Sequence, residues 1–260
     1  MPPQTPADEV ERSRAPFVEH LRELRTRLLY SVIAVAIGFG ITWTWVEQLF
    51  KLLLIPLQQA AATPDLADVH VRSLTEGFFV LLKTAIFGAV LLASPVILYQ
   101  IWKFVAPGLY PNERRATYPF VFFSTLFFIG GAAFCYFGVL PYGYQFLLAF
   151  GSEVATPMLL MEEYLDLTTK LMLAFGFVFE MPVFATFLAR IGVINWRMLA
   201  GAWRYAFVLC FIVGAMLTPP DVISQVMLAT PMFLLYLLSI LSAWIFGPRP
   251  PRDAPDAEAT

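Results

Sequence analysis

The carboxylate of Glu180 is the side chain whose type and position most clearly indicate binding chemistry. It lies within an apolar run, Phe-Gly-Phe-Val-Phe-Glu-Met-Pro-Val. An ionisable group inside a membrane costs a few kcal/mol or more, so it should face protein or water. We expect a functional role for it. A protonated carboxyl that only fixes helix packing by donating a hydrogen bond is the alternative.

Two further acids, Glu23 and Glu113, stand beside predicted helix ends at the lipid boundary. Carboxylates in such places could bind a guanidinium group through two parallel hydrogen bonds. Each acid also has a simpler interpretation. Glu23 could pair with Arg27 at i, i+4 on a solvated helix, and Glu113 could be a first-turn acid that interacts favourably with a helix dipole.

Asp221 and Gln225 are one helical turn apart at the start of the last apolar run. Asp221 follows Thr-Pro-Pro and could simply cap this helix. The amide of Gln225 falls inside the apolar zone and should find a partner on another helix.

Sequence signatures of catalysis are absent. The chain contains no glycine-rich phosphate loop, no His-Glu-x-x-His and no Gly-x-Ser-x-Gly, and it has only 2 histidines. Its 2 cysteines fall in apolar runs, where they should pack as small side chains. We therefore expect neither an enzyme nor a cofactor or metal site.

The elements that must position these residues are helices in a membrane. Hydrophobic residues make up 59% of the chain and charged residues 14%, which is outside the usual range of soluble domains. Apolar runs at 28–45, 77–102, 116–140, 167–191, 203–217 and 222–240 predict an all-α membrane protein with six transmembrane helices. The last two are short. Fifteen residues at ~1.5 Å each reach roughly 22 Å, against a hydrocarbon core of about 30 Å.

The ends of the chain and its basic residues predict the arrangement in the membrane. Residues 1–15 and 246–260 are rich in proline and charge and are predicted to be disordered, which leaves residues 16–245 as the membrane domain. An amphipathic helix from residue 16 should precede the first span. Thirteen of the 17 Lys and Arg residues fall in segments that six spans place on one side, so both termini should be cytoplasmic.

Five motifs occur in order along the membrane domain. They are His-Leu-Arg-Glu-Leu-Arg-Thr-Arg at 20–27, Ser-Pro-Val-Ile-Leu-Tyr-Gln-Ile-Trp at 94–102, Pro-Gly-Leu-Tyr-Pro-Asn-Glu-Arg-Arg at 107–115, Phe-Gly-Phe-Val-Phe-Glu-Met-Pro at 175–182 and Leu-Thr-Pro-Pro-Asp-Val-Ile-Ser-Gln at 217–225. With these motifs and six predicted spans, the chain resembles the TatC family, the large polytopic subunit of the twin-arginine protein translocase.

The resemblance implies a receptor and core subunit in the cytoplasmic (inner) membrane. Such a subunit binds signal peptides with paired arginines and recruits single-span partners of the TatA and TatB type. It moves folded proteins across the lipid bilayer with the proton motive force, as a homo-oligomer within the complex and without a nucleic acid partner. By position, the resemblance assigns signal-peptide binding to Leu21, Glu23 and Glu113, an intramembrane polar role to Glu180 and Gln225, and partner docking or a structural role to Pro56 and Asp221.

A proton-coupled secondary transporter of small solutes that uses Glu180 is the alternative function. Transporters also place ionisable groups near broken helices inside the membrane. The two halves of this sequence show no obvious internal repeat, and a single mid-span carboxylate provides few polar groups for binding a substrate.

Overall fold

The structure is a computed structural model that is almost entirely helical. It describes residues 6–61, 63, 68–105, 117–150, 158–218 and 221–247, with side chains from residue 19 onward in the first range and from residue 119 onward in the range 117–150. In chain order the elements are α1 (Pro6–Trp43), α2 (Val46–Ala60), β1 (Val69–His70), α3 (Glu76–Val105), α4 (Thr117–Phe134), a π-helical turn (Cys135–Val139), α5 (Leu140–Ala149), β2 (Leu159–Leu160), α6 (Met161–Phe179), α7 (Met181–Arg190), α8 (Trp196–Gly201), α9 (Trp203–Leu217) and α10 (Val222–Phe246).

Helix α1 is continuous from Pro6 to Trp43. The amphipathic segment and the first span, which the sequence predicts as separate, are therefore one helix, and residues 6–15 belong to it instead of to a disordered terminus. Residues 7–12 are Ala-Asp-Glu-Val-Glu-Arg, mostly good helix formers, and a proline is tolerated where a helix begins. Residues 1–5 and 248–260, also predicted to be disordered, lie outside the described residues.

Among the described residues, five helical segments are long and apolar enough to cross a membrane, and a sixth is shorter. The long segments are Glu19–Trp43, Glu76–Val105, Pro119–Ala149, Met161–Arg190 and Val222–Phe246, and the shorter one is Trp203–Leu217. The all-α architecture is confirmed, and the fifth span has the predicted 15 residues. The prediction of a short sixth span is wrong, because α10 runs for 25 residues and its last turn is the apolar Ala-Trp-Ile-Phe.

The third span continues beyond its predicted end at residue 140. After α4 the chain passes through the π-helical turn into α5, which carries Pro141 in its first turn. A proline has no N–H to continue the regular helical hydrogen bonds, and Pro141 falls directly after the turn where those bonds change their spacing. The π turn thus carries the helix past a residue that would otherwise end it.

Pro56 is fully buried inside α2. A proline leaves the carbonyl four residues earlier without its usual donor. Here that carbonyl belongs to Leu52, and it accepts a hydrogen bond from the Tyr136 hydroxyl at 2.7 Å. The Tyr164 hydroxyl donates to the next carbonyl, that of Leu53. These contacts support the structural role for Pro56 over the docking role, because they join α2 to the third and fourth spans.

In the helix α3 a side-chain hydroxyl likewise replaces the hydrogen-bond donor that Pro95 lacks. The carbonyl of Leu91, which lacks the proline's N–H as a donor, accepts from the Ser94 hydroxyl at 2.8 Å. The helix therefore continues through Pro95 with this carbonyl satisfied.

Small residues allow neighbouring spans to approach closely. In α1 the Thr42 hydroxyl donates to the Ala85 carbonyl of α3 at 2.8 Å. In α4, Gly131 lies so near α6 that a β-carbon on it would come within 2.5 Å of the Phe175 carbonyl oxygen. Such contacts are common where membrane helices pack. The main core lies between α2, α3, α5 and α6 and includes Leu53, Leu57, Val80, Leu140, Leu165 and Phe175.

Two segments at the predicted outer face are joined to each other. The strand β1 (Val69–His70) pairs in parallel with β2 (Leu159–Leu160). The buried carboxylate of Glu76 accepts from the backbone N–H of Ser73 at 3.3 Å and, across the junction, from that of Glu162 at 3.2 Å. One side chain therefore satisfies donors from both outer segments.

Ion pairs span the same junction. The ammonium of Lys83 contacts Glu162 at 2.7 Å and Asp166 at 2.9 Å, and Arg72 contacts Glu163 at 3.2 Å. These groups are partly or largely exposed, so each pair contributes little to stability and the buried Glu76 carboxylate is the more important contact.

Candidate functional site

Glu23 lies on α1 at the end of the bundle that is predicted to be cytoplasmic. Its side chain is 34% exposed, and its Oε1 accepts from Nη2 of Arg27 at 2.5 Å. The i, i+4 pair that the sequence offered as the simpler interpretation is therefore present. Among the described residues the second carboxylate oxygen, Oε2, has no partner, so an external donor could still reach it.

Arg27 links α1 to α3. Its Nη1 donates to Oε1 of Gln100 at 3.3 Å, and its side chain is only 16% exposed. The Nε atom is buried without a hydrogen-bond partner. The guanidinium is thus fixed between two helices while part of its donor capacity is unused.

Two neighbours of Glu23 in the sequence, His20 and Leu21, offer aromatic and apolar surface at this end of α1. The His20 ring stacks on Phe104 near the end of α3, with ring centroids 4.4 Å apart and an interplanar angle of 24°. Leu21 is exposed on the same turn of α1 as Glu23. Glu113, the other acid predicted to bind arginine, lies outside the described residues, and its approach to Glu23 stays a prediction.

Glu180 lies in the fourth span at the break between α6 and α7. Pro182 stands in the first turn of α7 and cannot donate a hydrogen bond back to α6, which explains the break at this point. The Glu180 side chain is 3% exposed, and neither carboxyl oxygen has a hydrogen-bond partner in the part of the chain that the structure describes. The predicted intramembrane acid is therefore buried, and no described side chain or backbone group satisfies it.

The Ser124 hydroxyl on α4 is the polar group that faces Glu180. The two side chains interact, but their geometry is not that of a hydrogen bond. The serine oxygen accepts from Nε1 of the buried Trp102 at 2.6 Å, which leaves the serine proton free for another acceptor. Trp102 stacks on Phe120 and Phe184, so packing between three spans positions the serine.

The edge formed by α9 and α10 is bonded within the chain. Asp221 caps α10 by accepting from the Ser224 N–H at 2.7 Å and from the Ser224 hydroxyl. These hydrogen bonds lower the pKa of Asp221 below its ordinary value, so it is ionised at neutral pH. Gln225 donates from Nε2 to the Phe211 carbonyl of α9 at 2.9 Å. The helix partner expected for Gln225 is thus in the same chain, and both residues stabilise the hairpin.

Sequence reasoning missed Gln100 and Ser124 as parts of these sites. The i, i+4 spacing indicated the pair of Glu23 and Arg27, but Gln100 is 73 residues further along the chain. Ser124 is a small polar residue in an apolar run, a pattern that commonly means only a local hydrogen bond. No local signal could have joined it to Trp102 or Glu180.

The fold defines a class of protein, a polytopic all-helical membrane protein. Among the residues with described side chains no cluster of His, Cys, Asp and Glu could bind a metal ion. The model of the family Sec-independent protein translocase protein (TatC) matches residues 19–231.

Relatives and solved structures agree with this match. A Sec-independent protein translocase protein TatC from Desulforapulum autotrophicum is 44% identical over 96% of this chain and 91% of its own length. The protein of that name from Aquifex aeolicus is 42% identical over 86% of this chain and 93% of its own. A crystal structure of a twin-arginine translocase receptor TatC superposes with a TM-score of 0.77 at 41% identity, over 87% of this chain and 98% of that one.

The chain belongs to the TatC family. It is therefore a membrane-embedded protein of a Sec-independent protein translocase and not an enzyme.

Proposed function

We propose that this chain is the receptor for signal peptides with paired arginines, and that Glu23 and Glu113 bind the two guanidinium groups with Leu21 contacting the adjoining residues. The observation that carries the proposal is the open carboxylate of Glu23, which is one-third exposed and, among the described residues, uses only Oε1. Leu21, two residues earlier on α1, is exposed and would offer apolar surface to the peptide.

The chemistry favours arginine over lysine. A planar guanidinium can donate two parallel hydrogen bonds to a carboxylate, whereas an ammonium acts as a point charge. A basic segment of a signal peptide is also attracted to the negative surface of the cytoplasmic leaflet, which brings it to the depth of these acids.

Photo-cross-linking from a probe at residue 21 tests this assignment. We expect a peptide with Arg-Arg to cross-link and the same peptide with Lys-Lys to cross-link weakly. Glu23→Gln and Glu113→Gln should each reduce the Arg-Arg product. Glu19→Gln is a matched control, because Glu19 is exposed on the same helix. Cross-linking of the double variant at wild-type strength would refute the assignment.

We further propose that Glu180 meets a polar group from the transmembrane helix of a single-span partner of the TatA or TatB type. Its buried oxygens have no hydrogen-bond partner among the described residues, and Ser124 supplies only an incomplete contact. The partners would dock in part along the edge of α9 and α10, where the 15 residues of α9 are short for a full bilayer. The assembled oligomer would then move folded cargo with the proton motive force.

Transport of a folded reporter into energised inverted membrane vesicles tests the role of Glu180. Glu180→Gln keeps the hydrogen-bonding groups and should retain much of the transport, whereas Glu180→Ala should lose most of it. Equal impairment of the two variants at equal membrane abundance would implicate charge instead of hydrogen bonding. Family membership favours this translocase role over the solute-transporter alternative.

A further inference from the structure

An apolar groove lies on the side of the bundle where α4, α7 and α10 meet. Its volume is about 540 Å³, within the range of about 300–1,000 Å³ that is typical of sites for small molecules. It follows the first turns of α4, the length of α7 and the last turns of α10. Bulky side chains dominate its lining, among them Phe120, Phe123, Phe127, Leu241, Ile245 and Phe246.

The hydroxyl groups that line this groove are already satisfied within the chain. Thr186 and Ser242 both donate to the Pro182 carbonyl, at 2.6 and 3.3 Å. The Ser242 hydroxyl also lies 2.9 Å from the Ser239 carbonyl of its own helix. The walls therefore leave no hydroxyl donor for a ligand, and they suit a hydrocarbon chain better than a polar molecule.

Arg190 lies at one end of the groove and is exposed. It is the last residue of α7, and the end of α10 lies beside it, because a β-carbon on Gly247 would be 3.5 Å from that of Ala189. The guanidinium lies over the ring of Phe120, 6.0 Å from its centroid. Among the described residues Arg190 forms no ion pair. Its charge is therefore available to an anion at the end of an apolar groove.

This end of the groove lies at the level of the lipid headgroups. Arg190 ends the fourth span, and the exposed Trp244 lies in the last turn of α10, where aromatic side chains are typical of a membrane interface. The same end is predicted to be cytoplasmic, and the cytoplasmic leaflet contains anionic lipids. Acyl chains that enter the groove from this leaflet would bring their headgroup to Arg190.

We propose that this groove binds an anionic phospholipid, whose acyl chains lie between α4, α7 and α10 and whose phosphate contacts Arg190. A lipid such as phosphatidylglycerol carries no cation, so it keeps the full attraction to the guanidinium. In phosphatidylcholine the trimethylammonium group offsets the attraction of its own phosphate. One basic residue near an anionic headgroup contributes about 5-fold in affinity.

A helix of another polypeptide fits this surface less well than a lipid does. Membrane helices pack closely where small residues let their backbones approach each other. The edge of this groove is formed instead by Phe123, Leu241 and Ile245, whose side chains are 50%, 48% and 55% exposed. Flexible acyl chains can follow such an uneven surface, so a lipid is the favoured occupant.

A second apolar groove provides an internal comparison. Its volume is about 610 Å³, it lies between α1, α2, α3 and α4, and none of its described lining residues is charged. A lipid there is held by burial of its acyl chains, which does not depend on the charge of the headgroup. A preference for anionic lipid should therefore arise at Arg190 and not in the second groove.

Native mass spectrometry of the full chain tests the proposal with phosphatidylglycerol and phosphatidylcholine of identical acyl chains. For the first bound lipid we expect the wild type to bind phosphatidylglycerol about 5-fold more tightly, and Arg190→Gln to bring this ratio to about 1. Arg197→Gln is the matched control, because Arg197 is exposed at the same end of the bundle and does not line the groove. Its ratio should keep the wild-type value.

Two tryptophan substitutions on α10 test the location of the lipid. Leu241→Trp places a large ring in the groove and should cause loss of the tightly bound phosphatidylglycerol. Leu237 is one turn earlier and 43% exposed, and it does not line the groove. Leu237→Trp should therefore bind both lipids as the wild type does. Thermal melts of all four variants establish that they are folded.

Several outcomes would overturn the proposal. They are equal affinity of the wild type for the two lipids, an unchanged ratio in Arg190→Gln, the same fall of the ratio in Arg197→Gln, and equal binding by the two tryptophan variants. A photo-reactive probe at residue 245 in membranes with the whole translocase identifies the occupant. A phospholipid adduct supports the proposal, whereas a cross-link to a polypeptide would show that the groove is a protein-docking surface.

Discussion

An alanine at position 131 would place a methyl group where the third and fourth spans touch. Its β-carbon would lie 2.5 Å from the Phe175 carbonyl oxygen and 2.8 Å from Cβ and Cγ of Phe179. The first of these contacts is with backbone, which cannot rotate away as a side chain does. The helices α4 and α6 would therefore have to separate near the end of α6, just before the break at Glu180.

The size of the effect follows from the cost of overpacking. An added methylene group in a packed interior typically destabilises by about 1–3 kcal/mol, and contact with backbone points to the upper half of that range. For a chain of this size about 1 kcal/mol corresponds to roughly 2–4 °C in melting temperature. We therefore expect Gly131→Ala to melt roughly 5–10 °C below the wild type.

The neighbouring residue provides a matched control. A β-carbon on Gly130 would meet nothing within 4 Å, and alanine is the better helix former by about 1 kcal/mol. Gly130→Ala should therefore melt at the wild-type temperature or slightly above it. Thermal melts followed by intrinsic tryptophan fluorescence in lipid nanodiscs would measure both variants. Indistinguishable melting temperatures for the two would refute the close approach of α4 and α6 at Gly131.

Three other substitutions test contacts between spans. Tyr136→Phe leaves the Leu52 carbonyl, which also lacks the Pro56 N–H, without a donor. It should lower the free energy of unfolding by about 1–2 kcal/mol in a denaturant titration. An unchanged midpoint would contradict this use of the hydroxyl. Trp102→Phe removes the indole donor and opens a small cavity, so a loss of about 2–3 kcal/mol is expected in the same titration. Glu76→Gln weakens the carboxylate contacts with both outer segments and should speed limited proteolysis there. Unchanged cleavage would show that the strands and ion pairs are enough to hold the two segments together.

Much of the fold could be predicted from sequence because lipid imposes simple rules on a chain. Apolar runs placed all six spans, and the fifth was correct at both ends, 203 and 217. The errors lie at the ends of the third and sixth spans. The π turn carried the third span past Pro141, and apolar residues after 240 extended the sixth.

The candidate sites could likewise be predicted only in part, because some of their residues follow a local sequence pattern and others do not. Glu180 stood out because an acid in an apolar run is rare, and the i, i+4 spacing revealed the pair of Glu23 and Arg27. The contact from Arg27 to Gln100 and the role of Glu76 between two outer segments depend on residues 73 and 86 positions apart. Only the packed structure could bring such residues together.

Some buried or half-buried polar side chains form hydrogen bonds within the described chain, and two contain atoms that do not. Gln225 bonds to the adjacent helix and Asp221 caps its own. Among the described side chains, only Arg27 and Glu180 contain buried polar atoms without a hydrogen-bond partner. A buried polar group without a partner is unfavourable, and native proteins contain few of them. Glu180 therefore stands where a partner helix could supply a missing donor, and the buried Nε of Arg27 still lacks an acceptor beside the proposed signal-peptide site.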